Sequence, residues 1–252
     1  MQKQSKAVMI LCLETATPTC SVAINDGCKT IALRECKGQN AHSEKITIFI
    51  KEVMDEVGLT YDQLDAVAVS KGPGSYTGLR IGTSTAKGVC YAAGIPLMAV
   101  DTLHAMAYGM RDRLGDQVQL DDLFVPMIDA RRMEVYCAVF DANLNRVKDT
   151  EAVVFATENG ERKTENGEFS VFRFPFSVPS RLWLFGDGAP KLKTVFSEDP
   201  KIQIVDDFTP SASYMATLAD QALLAKDFVD VAYFEPFYLK DFVAGKPHVK
   251  GL

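Results

Sequence analysis

The sequence predicts an α/β protein made of two similar lobes, and three observations lead there. Apolar runs of strand length alternate along the chain with longer segments of helical period. Two stretches open alike, each with an apolar strand ending in an acid, a polar turn and a returning strand. Glu14 to Asp26 spans 12 positions, and so does Asp129 to Asp141. Between them a glycine loop, Lys71-Gly72-Pro73-Gly74-Ser75-Tyr76-Thr77-Gly78-Leu79-Arg80-Ile81-Gly82, joins a short apolar run to a helical segment free of proline until Pro96.

Each element can be justified in order. Val8 to Leu13 is a continuous apolar run and reads as a central strand, ending at the hydroxyl-rich turn Glu14 to Thr19. Cys20 to Ile24 returns, Asn25-Asp26-Gly27 is a strong hairpin signal, and Thr30 to Leu33 is the third strand. Ala41 to Val57 is the first helix, with Ile46, Phe49, Ile50, Val53 and Val57 on one stripe and Gly58 as its stop. Ala66 to Val69 is a buried strand. Thr77 to Ala93 is the second helix, with Ser75 or Thr77 as its cap. A short strand, Leu97 to Val100, and a third helix, Thr102 to Arg113, close the first pattern.

The second pattern starts at Leu123 to Ile128, turns at Ala130-Arg131-Arg132 and returns over Glu134 to Phe140. The pentapeptide Thr157-Glu158-Asn159-Gly160-Glu161 recurs as Thr164 to Glu168 and reads as an exposed loop or hairpin tip. Phe172, Phe174 and Phe176 alternate as in an edge strand. Leu182 to Phe185 is a buried strand, followed by Gly186-Asp187-Gly188, a helix from about Ala189 to Phe196 and a last helix from Ser211 to Phe228. The tail beyond Pro236 carries Tyr238, Lys240, Lys246, His248 and Lys250 and reads as a basic tail.

Composition bounds the function classes. At 252 residues, with 47% hydrophobic and 24% charged side chains, the chain has the make-up of an ordinary globular protein of one large or two small domains. It holds no apolar run of membrane-spanning length, and its first six residues are too polar for a signal peptide. A net charge of −6 argues against a free-standing nucleic-acid binder, which needs a basic face. Six cysteines without a Cys-x-x-Cys pair fit small buried thiols in a reducing cytosol.

The glycine loop supports two readings. A strand, a glycine turn and a helix start together make an anion site, although neither a Walker motif nor a dinucleotide fingerprint is present. Alternatively the glycines serve packing, because Gly78, Gly82 and Ala86 leave one helix face nearly bare for a close neighbour. The packing reading is preferred.

Five motifs in order carry a family resemblance over nearly the whole chain, from Ile10 to about Leu239. They are Glu14-Thr15, His42-Ser43-Glu44, Gly72 to Gly82, Asp129-Ala130-Arg131-Arg132-Met133-Glu134-Val135-Tyr136 and Gly186-Asp187-Gly188-Ala189. The chain resembles the bacterial tRNA threonylcarbamoyladenosine biosynthesis proteins called TsaB or YeaZ, of the group long labelled glycoproteases. The resemblance implies an actin-like ATPase fold, ribonuclease H-like and related to hsp70 and sugar kinases. Its two lobes would comprise residues 1–101 and 102–252, with the helix at 211–228 packing back on the first.

The resemblance also implies a cytoplasmic, non-catalytic partner in making N6-threonylcarbamoyladenosine next to the tRNA anticodon. The catalytic paralogue would be TsaD, the ATPase TsaE would join, and tRNA would be met through the complex. The partner-binding helices would be the first two, placing Ile46, Phe49, Ile50, Val53, Gly78, Gly82, Thr85, Ala86 and Val89 at the interface, with a homodimer on the same surface.

No catalytic residue and no metal site is expected. Where the catalytic paralogue has its histidine pair, this chain has Thr102 and Met106, a hydroxyl and a thioether. A protease is rejected as well. No His-Glu-x-x-His is present, and neighbours in His42-Ser43-Glu44 do not face each other on a helix.

In an actin-like fold, Glu14, Thr15, Asp129, Gly186, Asp187 and Gly188 mark where ATP or ADP with magnesium would sit. No intrinsic cofactor is expected, and the nucleotide would belong to this cleft or to the complex interface. Inherited scaffolding is the preferred reading of the cleft. The competing functions are an independent small-molecule kinase or ATPase on the same fold and a purely structural, self-associating protein.

Overall fold

The computed structural model describes residues 7–38, 41–158, 161–163, 181–194, 196 and 199–240. The chain begins with β1 (Met9–Glu14), β2 (Thr19–Asp26), β3 (Lys29–Lys37), α1 (Ala41–Val57), β4 (Ala66–Ser70), α2 (Tyr76–Ala93) and β5 (Leu97–Val100). These strands form one sheet in the order β3-β2-β1-β4-β5. The first three are antiparallel hairpin neighbours, and β1, β4 and β5 run parallel.

After α3 (Thr102–Leu114) come β6 (Leu123–Asp129), β7 (Glu134–Asp141), β8 (Arg146–Val154), the small hairpin β9 (Ala156–Glu158) and β10 (Glu161–Lys163), β11 (Leu182–Phe185), β12 (Ile202–Val205) and α4 (Ala216–Ala225). The second large sheet has the order β12-β11-β6-β7-β8. Its hairpin strands β6, β7 and β8 are antiparallel, and β6, β11 and β12 are parallel. Taken from β8, its strands rank third, second, first, fourth, fifth, as in the first sheet. The two lobes are therefore one topology used twice.

Strand alternation sorts the side chains into layers. In the first sheet Leu11, Leu13, Val67 and Val69 face outward to α1, where Ile46, Ile50, Val53 and Met54 cover them. Ile10, Cys12, Ala66, Ala68 and Met98 face inward to Ala212, Met215 and Ala219 of the last helical segment. In the second sheet Phe124, Ile128, Phe140 and Phe185 face inward to Leu103, Met106 and Met110 of α3. Leu123, Val125, Met127, Val135, Cys137 and Leu184 form its outer core. The helices α3 and α4 thus lie between the sheets, and α4 sits on the sheet farther from it in sequence. Strands buried on both faces explain the unbroken apolar runs of β1 and β4.

α2 starts where Ser75 caps it, its hydroxyl accepting from Gly78 N at 3.3 Å. It ends at Gly94, whose φ of 68° is the left-handed cap that glycine adopts without strain.

Several expectations need correction. The helix from Ala189 shrinks to one 3-10 turn, Ala189–Leu192, with Pro190 at its start. The helix over 211–228 divides into a 3-10 turn, Ala212–Met215, and the shorter α4, which stops at Lys226 in a left-handed conformation. β8 and β12 are additional strands. β8 mixes charged and apolar residues and stays only partly buried along most of its length. Cys28 is exposed and Cys36 half-buried, unlike the four buried thiols, and all six are free. The alternating Phe172, Phe174 and Phe176 and the second polar pentapeptide lie outside the described residues, as does the tail from Asp241. Among the described residues no helix is long and apolar enough to cross a membrane.

Candidate functional site

The turn after β1 and the turn after β6 face each other across a cleft of about 520 Å³. Its walls are Ala16 to Pro18, Gly74 to Thr77, Ile128 to Arg131 with Tyr136 and Asp187, and Tyr238 to Lys240. The duplicated acidic turns therefore do meet, as their spacing suggested.

The six residues expected to mark a nucleotide site are not all brought into this cleft. Glu14 is 1% exposed and turned back on its own turn, where Oε1 accepts from Ala16 N at 2.6 Å. Burial pushes its carboxyl up to about 7, against the opposing hydrogen bonds from Ala16, Ser70 and Thr15. Thr15 is fully buried; its amide donates to Ser70 Oγ at 3.3 Å, and its own hydroxyl has no hydrogen-bond partner among the described residues. A Cβ on Gly82 would stand 2.2 Å from that hydroxyl oxygen, and one on Gly78 would stand 2.2 Å from Thr15 O. The bare face of α2 is thus filled by the first turn of its own lobe. Gly186 and Gly188 serve packing too: added Cβ atoms would lie 2.2 Å from Met127 O and 3.0 Å from Val135 Cγ1 respectively.

Asp129 and Asp187 do line the cleft. Both are engaged. Asp129 Oδ1 accepts from Arg131 N at 2.6 Å and from Lys191 Nζ at 2.5 Å. Asp187 Oδ1 accepts from Asp129 N at 3.0 Å, and burial pushes its carboxyl above the usual range. A magnesium nucleotide needs accessible carboxylate oxygens for the hydrated cation. Glu14 is thus turned away from the cleft, while Asp129 and Asp187 each use Oδ1 within the fold, and Asp129 keeps 39% of its side chain exposed.

The nine residues expected at a partner interface divide by burial. Ile46, Ile50, Val53, Gly78, Gly82 and Ala86 are buried inside the first lobe, because an apolar stripe on a surface helix first serves the sheet beneath it. Phe49, Thr85 and Val89 are half-buried at the rim. The outward surface of these helices is made instead by Ile48, 46% exposed, on α1 and by Arg80, Ser84, Gly88 and Tyr91 on α2. Tyr91 is 88% exposed, and a Cβ on Gly88 would meet nothing within 4 Å. Glycine weakens a helix, and at Gly88 the packing among the described residues does not call for one.

The remaining motif residues have structural duties. His42 Nε2 lies 2.8 Å from Thr17 O. A carbonyl only accepts, so Nε2 carries the proton and pins α1 to the first turn; burial lowers the ring's pKa. Thr102 Oγ1 accepts from Gly72 N at 3.1 Å, and Met106 is fully buried in the inner core of the second lobe. Among the described residues no group of three or more His, Cys, Asp or Glu is placed to hold a metal.

A family profile described as TsaD, tRNA N6-adenosine threonylcarbamoyltransferase, matches residues 37–247. The tRNA threonylcarbamoyladenosine biosynthesis protein TsaB of Escherichia coli is 30% identical over 242 residues, covering 94% of this chain and 96% of that protein. TsaB of Bacillus subtilis is 30% identical over 131 residues, covering 52% of this chain and 54% of that one. The solved structure of YeaZ from Pseudomonas aeruginosa shares the fold, with a TM-score of 0.74 at 21% identity over 92% of this chain and 100% of that one.

Proposed function

This chain belongs to the TsaB family, and from that premise we propose that it is a non-catalytic subunit in the synthesis of N6-threonylcarbamoyladenosine on tRNA, binding and activating the TsaD catalytic paralogue. The observation that carries this reading is the state of the facing acidic turns. Glu14 is buried in its own turn, outside the cleft, and Asp129 on the cleft wall is paired with Lys191, so both acids have duties within the fold. What the first lobe offers a partner is the outer surface of α1 and α2, with Ile48, Ser84, Gly88 and Tyr91. Small residues at the centre of such a surface allow a second helix to approach closely. TsaE would join on the assembled pair, a nucleotide would bind there rather than in this chain's cleft, and tRNA would be met through the complex in the cytoplasm. A homodimer would use the same surface and compete with the heterodimer.

Two experiments test this. The first reconstitutes modification from TsaD, TsaE, threonylcarbamoyl-adenylate and substrate tRNA, with and without this chain. Modified adenosine is expected only with the chain present, and equal modification without it overturns the proposal. The second is Gly88→Glu, at a position where an added Cβ meets nothing within 4 Å among the described residues. It should leave the unfolding midpoint unchanged or higher while weakening TsaD binding at least tenfold in a pull-down or calorimetric titration. Undiminished binding would remove α2 from the interface.

A further inference from the structure

Residues 226–240 leave α4 and travel back over the first lobe to the cleft. Their anchors fall in sequence. Val229 N donates to Leu97 O at 2.9 Å, covering the edge of β5. Lys87 Nζ, from α2, donates to Ala232 O at 3.0 Å. Val231 and Phe234 pack against the outer core of the first lobe. Phe237 N donates to Lys71 O at 2.7 Å, and Phe237 O lies so close to the glycine loop that a Cβ on Gly72 would come within 2.6 Å of it. The Tyr238 ring then rests on Tyr76, with centroids 4.8 Å apart.

The last anchor is different. Lys240 pairs with Glu134, at the start of β7 in the second lobe. The segment is therefore rooted on one lobe and clasped to the other, and Tyr238, Leu239 and Lys240 form a wall of the cleft between them. The lobes are also joined by the chain that runs from β5 into α3 and by Arg146 to Asp101 at 3.0 Å. The segment itself is thinly buried: Tyr233 is 86% exposed, Phe237 44% and Phe228 41%. An element with few buried apolar contacts opens well before the cores do. The Lys240–Glu134 pair is partly solvated, and such pairs are weak enough to exchange with water.

We propose that residues 226–240 are a latch that holds the two lobes closed over the cleft, and that release of its Lys240 end lets the lobes swing apart about α3. The test is a charge exchange read by distance. Spin labels are placed across the cleft at Thr77→Cys and Arg132→Cys in a Cys28→Ser background, since Cys28 is the exposed native thiol. The parent should give one narrow distance. Lys240→Glu and Glu134→Lys should each broaden it toward longer values, and the exchanged pair Glu134→Lys with Lys240→Glu should restore it.

Amide exchange at Phe237 should run at least tenfold faster in each single variant and return in the exchanged pair, while β1 and β4 stay protected. An unchanged distance distribution in the single variants overturns the latch. So does faster exchange at Phe237 without lobe movement, which would make the segment a surface strap and nothing more. Should Glu134→Lys fail to fold, Tyr238→Ala and Lys240→Ala give the same two readouts.

Discussion

Glu14 ends β1 on the inward face, in step with Ile10 and Cys12, and so takes its carboxyl between the sheets. Its pKa, raised from 4.5 to about 7 by burial, makes stability depend on pH. The folded chain holds a proton on Glu14 that the unfolded chain has already lost, so unfolding releases a proton between those two values. The folded state therefore bears no penalty below 4.5, weakens as the pH rises through that window and has lost about 3 kcal/mol above it. Glu14→Gln keeps an acceptor for Ala16 N and carries no charge. In urea unfolding it should be more stable than the parent at pH 8 and little different at pH 4.5. Equal stabilities at pH 8 would mean that the carboxylate is solvated. The acid at the strand end was legible in the sequence. Its inward orientation was not, because it depends on Ser70 and Ala16 reaching it from a neighbouring strand and turn.

At the scale of elements, α2 shows two kinds of glycine. Gly78 stands against Thr15 O, a backbone atom that cannot swing away, so Gly78→Ala should destabilise by about 1–3 kcal/mol through overpacking. Gly88 faces open space, and Gly88→Ala should stabilise by up to about 1 kcal/mol through helix propensity. Opposite signs from one substitution on one helix, read from urea midpoints, would establish which face is inside. The bounds of α1, α2 and β5 could be read from period, cap and glycine stop. Which face of α1 and α2 meets a partner could not, because an apolar stripe marks burial without saying what does the burying. β8 escaped notice because a half-buried edge strand alternates weakly. β12 escaped because Gln203 interrupts its run and all four residues, Ile202–Val205, are only half-buried, whereas the equally short β5 and β11 are unbroken apolar runs.

At the scale of the molecule, the two five-stranded sheets have interleaved cores. α3 covers the inner face of the second sheet, α4 covers that of the first, and Tyr214 touches both inner clusters. Neither lobe can lose its cover without disturbing the other, so thermal unfolding should be a single transition by calorimetry and by circular dichroism. Two separated transitions would show independent lobes. The duplication was legible from the equal spacing of the acidic turns. The return of α4 to the first sheet left no mark of its own in the apolar pattern, since any apolar helix face suits either sheet.

That return has a consequence in time. The ribosome finishes β1 to β5 long before it makes Ala212–Ala225, and synthesis at about 5–20 residues per second leaves an interval of several seconds. Throughout it the inward face of the first sheet, with Ile10, Cys12, Ala66, Ala68 and Met98, lacks its cover. A nascent chain stalled at Pro210 should therefore be held by chaperones or precipitate when released. A stall that lets the last helix clear the exit tunnel should yield folded, protease-resistant protein. The first half to be synthesised is the last to be completed.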